Sequence, residues 1–185
     1  MQCLGGHGYI CEWGMEQFLR DSRIAPIYEG TNGIQAMDLV GRKLARKNGE
    51  VVRKYFSLIQ AFIDDNKENP EMEKYTALLE KALQRQQAAT MWLMQNAMEK
   101  PDHAGATAHY YLNLMALVCM GFSWATMVLK AKSMIADGVG DKLFLENKIK
   151  TADFFYTHIL PETTALRIKV EAGADDVMSL DEHSF

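Results

Sequence analysis

The run AGATAHYYLNLMALVCMGFSWATMVL, Ala104 to Leu129, is 26 residues without a charged side chain. That is long enough to span a bilayer, so its reading decides between a membrane protein and a soluble helical fold. Thr107, His109, Asn113, Ser123 and Thr126 interrupt it, and no positively charged flank precedes it. The mean hydropathy of the chain is −0.18, and the segments on either side are amphipathic. The run therefore reads as a central helix enclosed by other helices, not a membrane span. Met115, Met120 and Met127, with Met134 just beyond, read as core filler.

Outward from this helix the pattern stays helical. Val52, Tyr55, Phe56, Ile59, Phe62 and Ile63 follow the helical spacing before Asp64 to Pro70 breaks it. Met72 to about Glu99 forms a long helix, and Pro101-Asp102 separates it from the central one, which spans roughly His103 to Ala136. Asp137-Gly138-Val139-Gly140 is a turn. Leu145, Ile149, Ala152, Tyr156 and Ile159 mark a last helix that Pro161 kinks but does not end, since Leu166, Ile168 and Val170 continue it. The tail from Gly173 is acidic and reads as mobile. Long helices joined by short loops predict an all-α fold, an antiparallel bundle preceded by a short helix-loop-helix segment. No strand-period segment of useful length occurs.

That preceding segment differs in composition. Eight of the 13 glycines lie in the first 49 residues. A short amphipathic helix from Glu12 to Ile24 stops near Pro26, and Ile27-Tyr28-Glu29-Gly30-Thr31-Asn32-Gly33 is a loop in which Thr31 or Asn32 can cap the next helix. That helix carries Ile34, Met37, Leu39, Val40 and Leu44, ends in Arg42, Lys43, Arg46 and Lys47, and stops at Asn48-Gly49. A division at 1–49 and 50–185 follows. Met1 opens directly onto the glycine cluster, so the chain reads as cut from something longer.

The 185 residues are 48% hydrophobic and 24% charged, with net charge −4. This excludes wholesale disorder and gives no general attraction to nucleic acid or anionic membrane. Cys3, Cys11 and Cys119 form no CxxC pair, and a cytoplasmic setting is expected. His7, His103, His109, His158 and His183 make no HxxxH pair, so no metal site is expected. Gly6-His7-Gly8 lacks the third glycine of a dinucleotide fingerprint, with Cys11 in its place. Glu29 sits between Tyr28 and Gly30, after Ile24 and Ile27. Apolar neighbours would raise its pKa and strengthen it as a base. The residues alone leave open whether it is such a base or a solvated loop glutamate.

Three stretches in order carry a resemblance: Gln2-Cys3-Leu4-Gly5-Gly6-His7-Gly8-Tyr9, then Arg20-Asp21-Ser22-Arg23-Ile24, then Ile27 to Gln35. Together they resemble the C-terminal signature of acyl-CoA dehydrogenases. The long helical continuation is similar to the branch of that family containing 3-methylmercaptopropionyl-CoA dehydrogenases. The resemblance implies a flavoenzyme that introduces an α,β double bond into an acyl-CoA thioester, with Glu29 as the base that removes the α-proton. It implies that Gly30 borders the substrate, that Thr31, Asn32 and Gly33 lie along FAD, and that Gln2, Cys3, Leu4, Gly5 and Gly6 contact FAD, usually from a neighbouring subunit. Gly33 departs from the longer polar residue common there, and Gly41 stands where an arginine is frequent, so neither side-chain contact carries over. An electron-transfer flavoprotein or similar acceptor and a homo-oligomer are implied as partners. Residues 1–49 then correspond to the end of the catalytic domain, and 50–185 to a helical extension. The isolated chain is expected to lack dehydrogenase activity. The competing reading is a non-catalytic helical module for interaction or oligomerisation associated with a dehydrogenase.

Overall fold

The computed structural model describes residues 1–184, without the side chains of Glu29 and Glu182. Two 3-10 segments, Gln2–Tyr9 and Cys11–Trp13, lead into α1 (Met15–Arg23). A 3-10 turn, Tyr28–Gly30, precedes α2 (Thr31–Asp38), which widens into a π turn at Leu39–Lys43. The bundle follows as α3 (Glu50–Asn66), α4 (Glu73–Asn96), α5 (Pro101–Ala136), α6 (Lys142–Phe154) and α7 (Thr163–Glu171). The fold is all-α, with no strand among the described residues.

Helix ends follow local chemistry. Pro101 occupies the first turn of α5, where its missing N–H removes nothing from the helix. Asp141 caps α6 by accepting from the amide of Phe144 at 3.2 Å. The expected cap of α2 is not formed. Gly30 occupies that position at φ +90°, and neither Thr31 nor Asn32 offers a side-chain cap bond. Pro161 bends the chain without ending its helical course. Lacking an amide, it is preceded by a π turn (Phe155–Ile159) and flanked by a 3-10 turn (Leu160–Glu162), after which α7 resumes.

Helix α5 is the axis of the molecule. Thr107, Ala108, Tyr111, Leu114, Val118, Gly121, Ala125, Val128 and Ala131 form one buried line at three- and four-residue spacing. Its lower half meets Leu93 of α4, Val170 of α7 and Ala36, Val40 and Leu44 of the α2 segment. Its upper half meets Ile59, Leu79, Leu83, Phe155 and Tyr156. The expectation of full enclosure needs correction: Met120 and Met127 are 47% and 41% exposed and are not core filler. The helices packed on α5 cover only part of its circumference. By length and composition alone, α5 is also apolar enough to cross a membrane, but its buried line is packed against protein. Phe154 is exposed as well, whereas Phe155 and Tyr156 are buried.

The tail is anchored at its start, contrary to the reading of a mobile segment from Gly173. Gly173 turns at φ +71°, and a Cβ there would meet His103 Nδ1 at 2.6 Å. The next amide, of Ala174, donates to that nitrogen at 3.0 Å, and Ala174 is fully buried.

Buried phenols set the alkaline limit of the fold. Burial raises the pKa of Tyr55, Tyr75, Tyr111 and Tyr156 above the ordinary 10.0, with Cys119 adding at Tyr55 and Asp153 at Tyr75. A folded-state pKa above the unfolded value means the unfolded chain releases these protons first. The stabilisation is complete below the unfolded value and is lost as pH rises past it. The urea midpoint should therefore hold up to about pH 10 and fall steeply above it. A midpoint that stays level well above that value would contradict this.

Candidate functional site

The glycines of the first segment serve two purposes. Gly8 is buried under the chain start, where a Cβ would stand 2.1 Å from the Met1 carbonyl oxygen, so only glycine lets the opening turn close. Gly5 turns at φ +56° and ψ −137°, and nothing lies within 4 Å of a Cβ at Gly5 or Gly6. Gln2, Cys3, Leu4, Gly5 and Gly6 are all exposed.

Helix α1 is tied by local pairs, Arg20 to Glu16 at 3.1 Å and Gln17 to Asp21 at 2.6 Å. Met15 is half-buried, but Phe18 is 69% exposed and Leu19 about half, as is Trp13 just before the helix. After it the chain turns back through hydrogen bonds from the Ile27 and Tyr28 amides to the Ile24 carbonyl. Glu29 lies in the following 3-10 turn; its side chain falls outside the described residues.

The backbone is strained just past this residue. Gly30 turns at φ +90°, and a Cβ there would lie 2.9 Å from Ile34 Cγ2. Thr31 follows at φ 68° and ψ 168°, a region almost reserved for glycine. A β-branched residue held there costs of order 1–3 kcal/mol, and such strain concentrates at functional sites. Thr31, Asn32 and Gly33 then form the first turn of α2, exposed to solvent. At the other end of that helix, hydrogen bonds from Lys43 and Arg42, at 2.9 and 2.6 Å, hold the Asp38 carboxyl below its ordinary pKa.

The structure thus places the expected site residues in two exposed groups, Gln2–Gly6 and Gly30–Gly33, on either side of α1. It does not enclose them in one cavity. An apolar cleft lies elsewhere, between the α2 segment and the α4–α5 junction, and none of these residues lines it. Sequence reasoning missed that cleft, because its two walls are about fifty residues apart along the chain and share no motif. No group of three or more His, Cys, Asp or Glu suited to a metal ion occurs among the described residues.

Comparison with known proteins bears on both segments. Residues 1–44 match the family described as acyl-CoA dehydrogenase, C-terminal domain, and residues 55–181 that described as acetyl-CoA dehydrogenase C-terminal like. The 3-methylmercaptopropionyl-CoA dehydrogenase of Ruegeria pomeroyi is 34% identical over 97% of this chain and 30% of its own length. The broad-specificity linear acyl-CoA dehydrogenase FadE5 of Mycobacterium tuberculosis is 33% identical over the whole chain and 32% of its own length. A butyryl-CoA dehydrogenase of Syntrophomonas wolfei is 30% identical, again over the whole chain and 30% of its own length. The chain therefore spans about a third of the length of these curated relatives. With one family matched at its glycine-rich start and the other along its helical bundle, this chain belongs to the acyl-CoA dehydrogenase family.

Proposed function

We propose that the chain is the C-terminal part of an FAD-dependent acyl-CoA dehydrogenase and that Glu29 is its α-proton-abstracting base. The observation that carries this reading is the turn at Glu29, where a carboxylate in a 3-10 turn is followed by Gly30 at φ +90° and a strained Thr31. An α-proton next to a thioester is only weakly acidic, so its removal needs a base and hydrogen-bond donors at the carbonyl together, in a site that excludes water. Gly30 lets a thioester approach the backbone closely, and the Glu29 amide is the donor the chain supplies there.

The cofactor residues fit a flavin on one further ground. Gly5 and Gly6 leave open space where a side chain would stand, and around Gly33 only Thr31 Oγ1 comes near, at 3.9 Å. Gln2, Cys3, Leu4, Gly5 and Gly6 would hold FAD in a neighbouring subunit, and Thr31, Asn32 and Gly33 within their own. FAD, when bound, supplies the two-electron acceptor for loss of the β-hydride. The remaining partners in this reading are an acyl-CoA substrate, an electron-transfer flavoprotein or similar acceptor, and further copies of the chain, in the cytoplasm. Residues 1–49 would be the end of the catalytic domain, and 50–185 the helical extension.

In the flavin-loaded dehydrogenase, Glu29→Gln should abolish most turnover while retaining FAD, and full activity in that variant would overturn the assignment. The isolated 185-residue chain, in which Gln2 to Gly6 and Gly30 to Gly33 are exposed, is expected to purify without stoichiometric flavin absorbance and without dehydrogenase activity. A one-to-one flavin band would contradict that expectation. One observation favours the second reading, a non-catalytic helical module: the bundle core is closed, while the site segment is exposed. Full activity of Glu29→Gln would point there.

A further inference from the structure

The imidazole of His103, in the first turn of α5, is met by two distant parts of the chain. Trp92 of α4 stands edge-on to it, with ring centroids 5.3 Å apart. The chain leaving α7 passes so close at Gly173 that a Cβ there would also stand 3.1 Å from Trp92 Cη2. The buried Ala174 comes next, and the bond from its amide to His103 Nδ1 is the tie between the tail and α5. An N–H buried away from water needs an acceptor, and this ring nitrogen is the one it has among the described residues.

That bond fixes the state of the ring. Nδ1 accepts, so the single proton of the neutral imidazole is on Nε2. His103 is only half-buried, so protons from solvent reach it. A second proton, on Nδ1, would set donor against donor and leave the Ala174 N–H buried without an acceptor. Imidazoles take up that proton between about pH 8 and 5. Carboxylates and amines keep their charge over the same range. Those around the ring are Lys100 and Asp102 at the start of α5 and Asp175 and Asp176 after Gly173. The hydrogen bond from Lys100 holds the Asp175 carboxyl below its usual range and raises Lys100, so this pair stays charged. From α4 the ring meets the uncharged Trp92, and on α7 Glu171 is taken up by Arg167 at 2.7 Å.

We propose that His103 is a pH-sensitive latch for the chain beyond Gly173. Neutral, it holds the Ala174 amide inside the bundle; doubly protonated, it lets that amide go. Gly173, at φ +71°, is the hinge, and its missing side chain is what lets the backbone lie against both rings. Release frees the acidic tail with its exposed Val177, Met178 and Leu180, and uncovers the part of Trp92 that Gly173 lies against. The device is a local opening with the bundle core intact, and it rests on no step of the dehydrogenation.

Hydrogen–deuterium exchange of the Ala174 amide, followed by NMR in the 185-residue chain and expressed relative to the unstructured rate at each pH, tests it. Between about pH 8 and about pH 5 the protection of this amide falls at least about tenfold. The amides of Leu114 and Val118, in the buried line of α5, keep theirs. His103→Asn puts a carbonyl oxygen where Nδ1 stands and cannot titrate, so protection persists at both pH values. His103→Phe removes the acceptor, and protection is low at both. The Nδ1 nitrogen resonance of the wild type gives a check free of substitution, changing from imine to N–H at the pH where protection is lost. Should His103→Asn be unprotected throughout, that resonance decides alone. Protection that stays level in the wild type overturns the proposal. So does an equal loss in His103→Asn, full protection in His103→Phe, or an Nδ1 that stays bare while the amide opens.

Discussion

Exchanging Glu29 for Gln in the flavin-loaded dehydrogenase should lower turnover by about 10³- to 10⁴-fold, the upper part of the range for a lost general base. That corresponds to roughly 4–5.5 kcal/mol of transition-state stabilisation. The exchange keeps the shape of the side chain and leaves the Gly30 and Thr31 backbone as it was, so flavin and thioester should still bind. The loss should therefore appear in kcat, with KM little changed, as expected when an interaction made only in the transition state is removed. Turnover with an artificial electron acceptor, together with flavin absorbance of the same sample, measures both halves. A variant that loses flavin in proportion to activity would show that position 29 shapes the turn and does not act as the base.

The largest stability effect is expected at Tyr156. It is 1% exposed, its ring meets Tyr75 edge-on at 5.2 Å, and its hydroxyl donates to the Gly121 carbonyl at 2.8 Å. The site is tightly packed: a Cβ at Gly121 would press on Leu79 and Leu160, both at 3.3 Å. Tyr156→Ala removes the ring from the junction of α4, α5 and the π turn, and should cost about 3–5 kcal/mol through the cavity it leaves. Tyr156→Phe keeps the packing and loses one hydrogen bond, about 1 kcal/mol. Against the 5–15 kcal/mol typical of a domain, the first change removes a large share of stability and the second does not. Urea titration with an unchanged slope would measure both. Equal losses in the two variants would mean that the hydroxyl, not the ring, holds this junction.

Much of the architecture was legible along the chain because it depends on near neighbours. Helical spacing located α3 to α7, and Pro101, Gly138 and Gly140 marked their boundaries. The family was legible too, since Gln2 to Gln35 carries its motifs in one unbroken stretch. Other features depended on what the folded chain brings close. Thr31 reads as an ordinary cap, and only the closure of the Glu29 turn onto α2 puts it at φ 68°. Met120 and Met127 share the composition of the buried part of α5 but sit on the arc its neighbours leave uncovered. The Gly173 tail looks like a polar terminus until His103, seventy residues earlier, receives the Ala174 amide.

The amino-acid order by itself determined the helical class, the position of the central helix and the segment with which Glu29 belongs, because periodicity, capping and motif spacing act over a few turns of chain. Tertiary structure alone decided which side of α5 is buried, how the tail is held, and that the end of α2 and the α4–α5 turn face each other across an apolar trough. Those depend on packing between side chains far apart in sequence, and no local pattern encodes such an encounter.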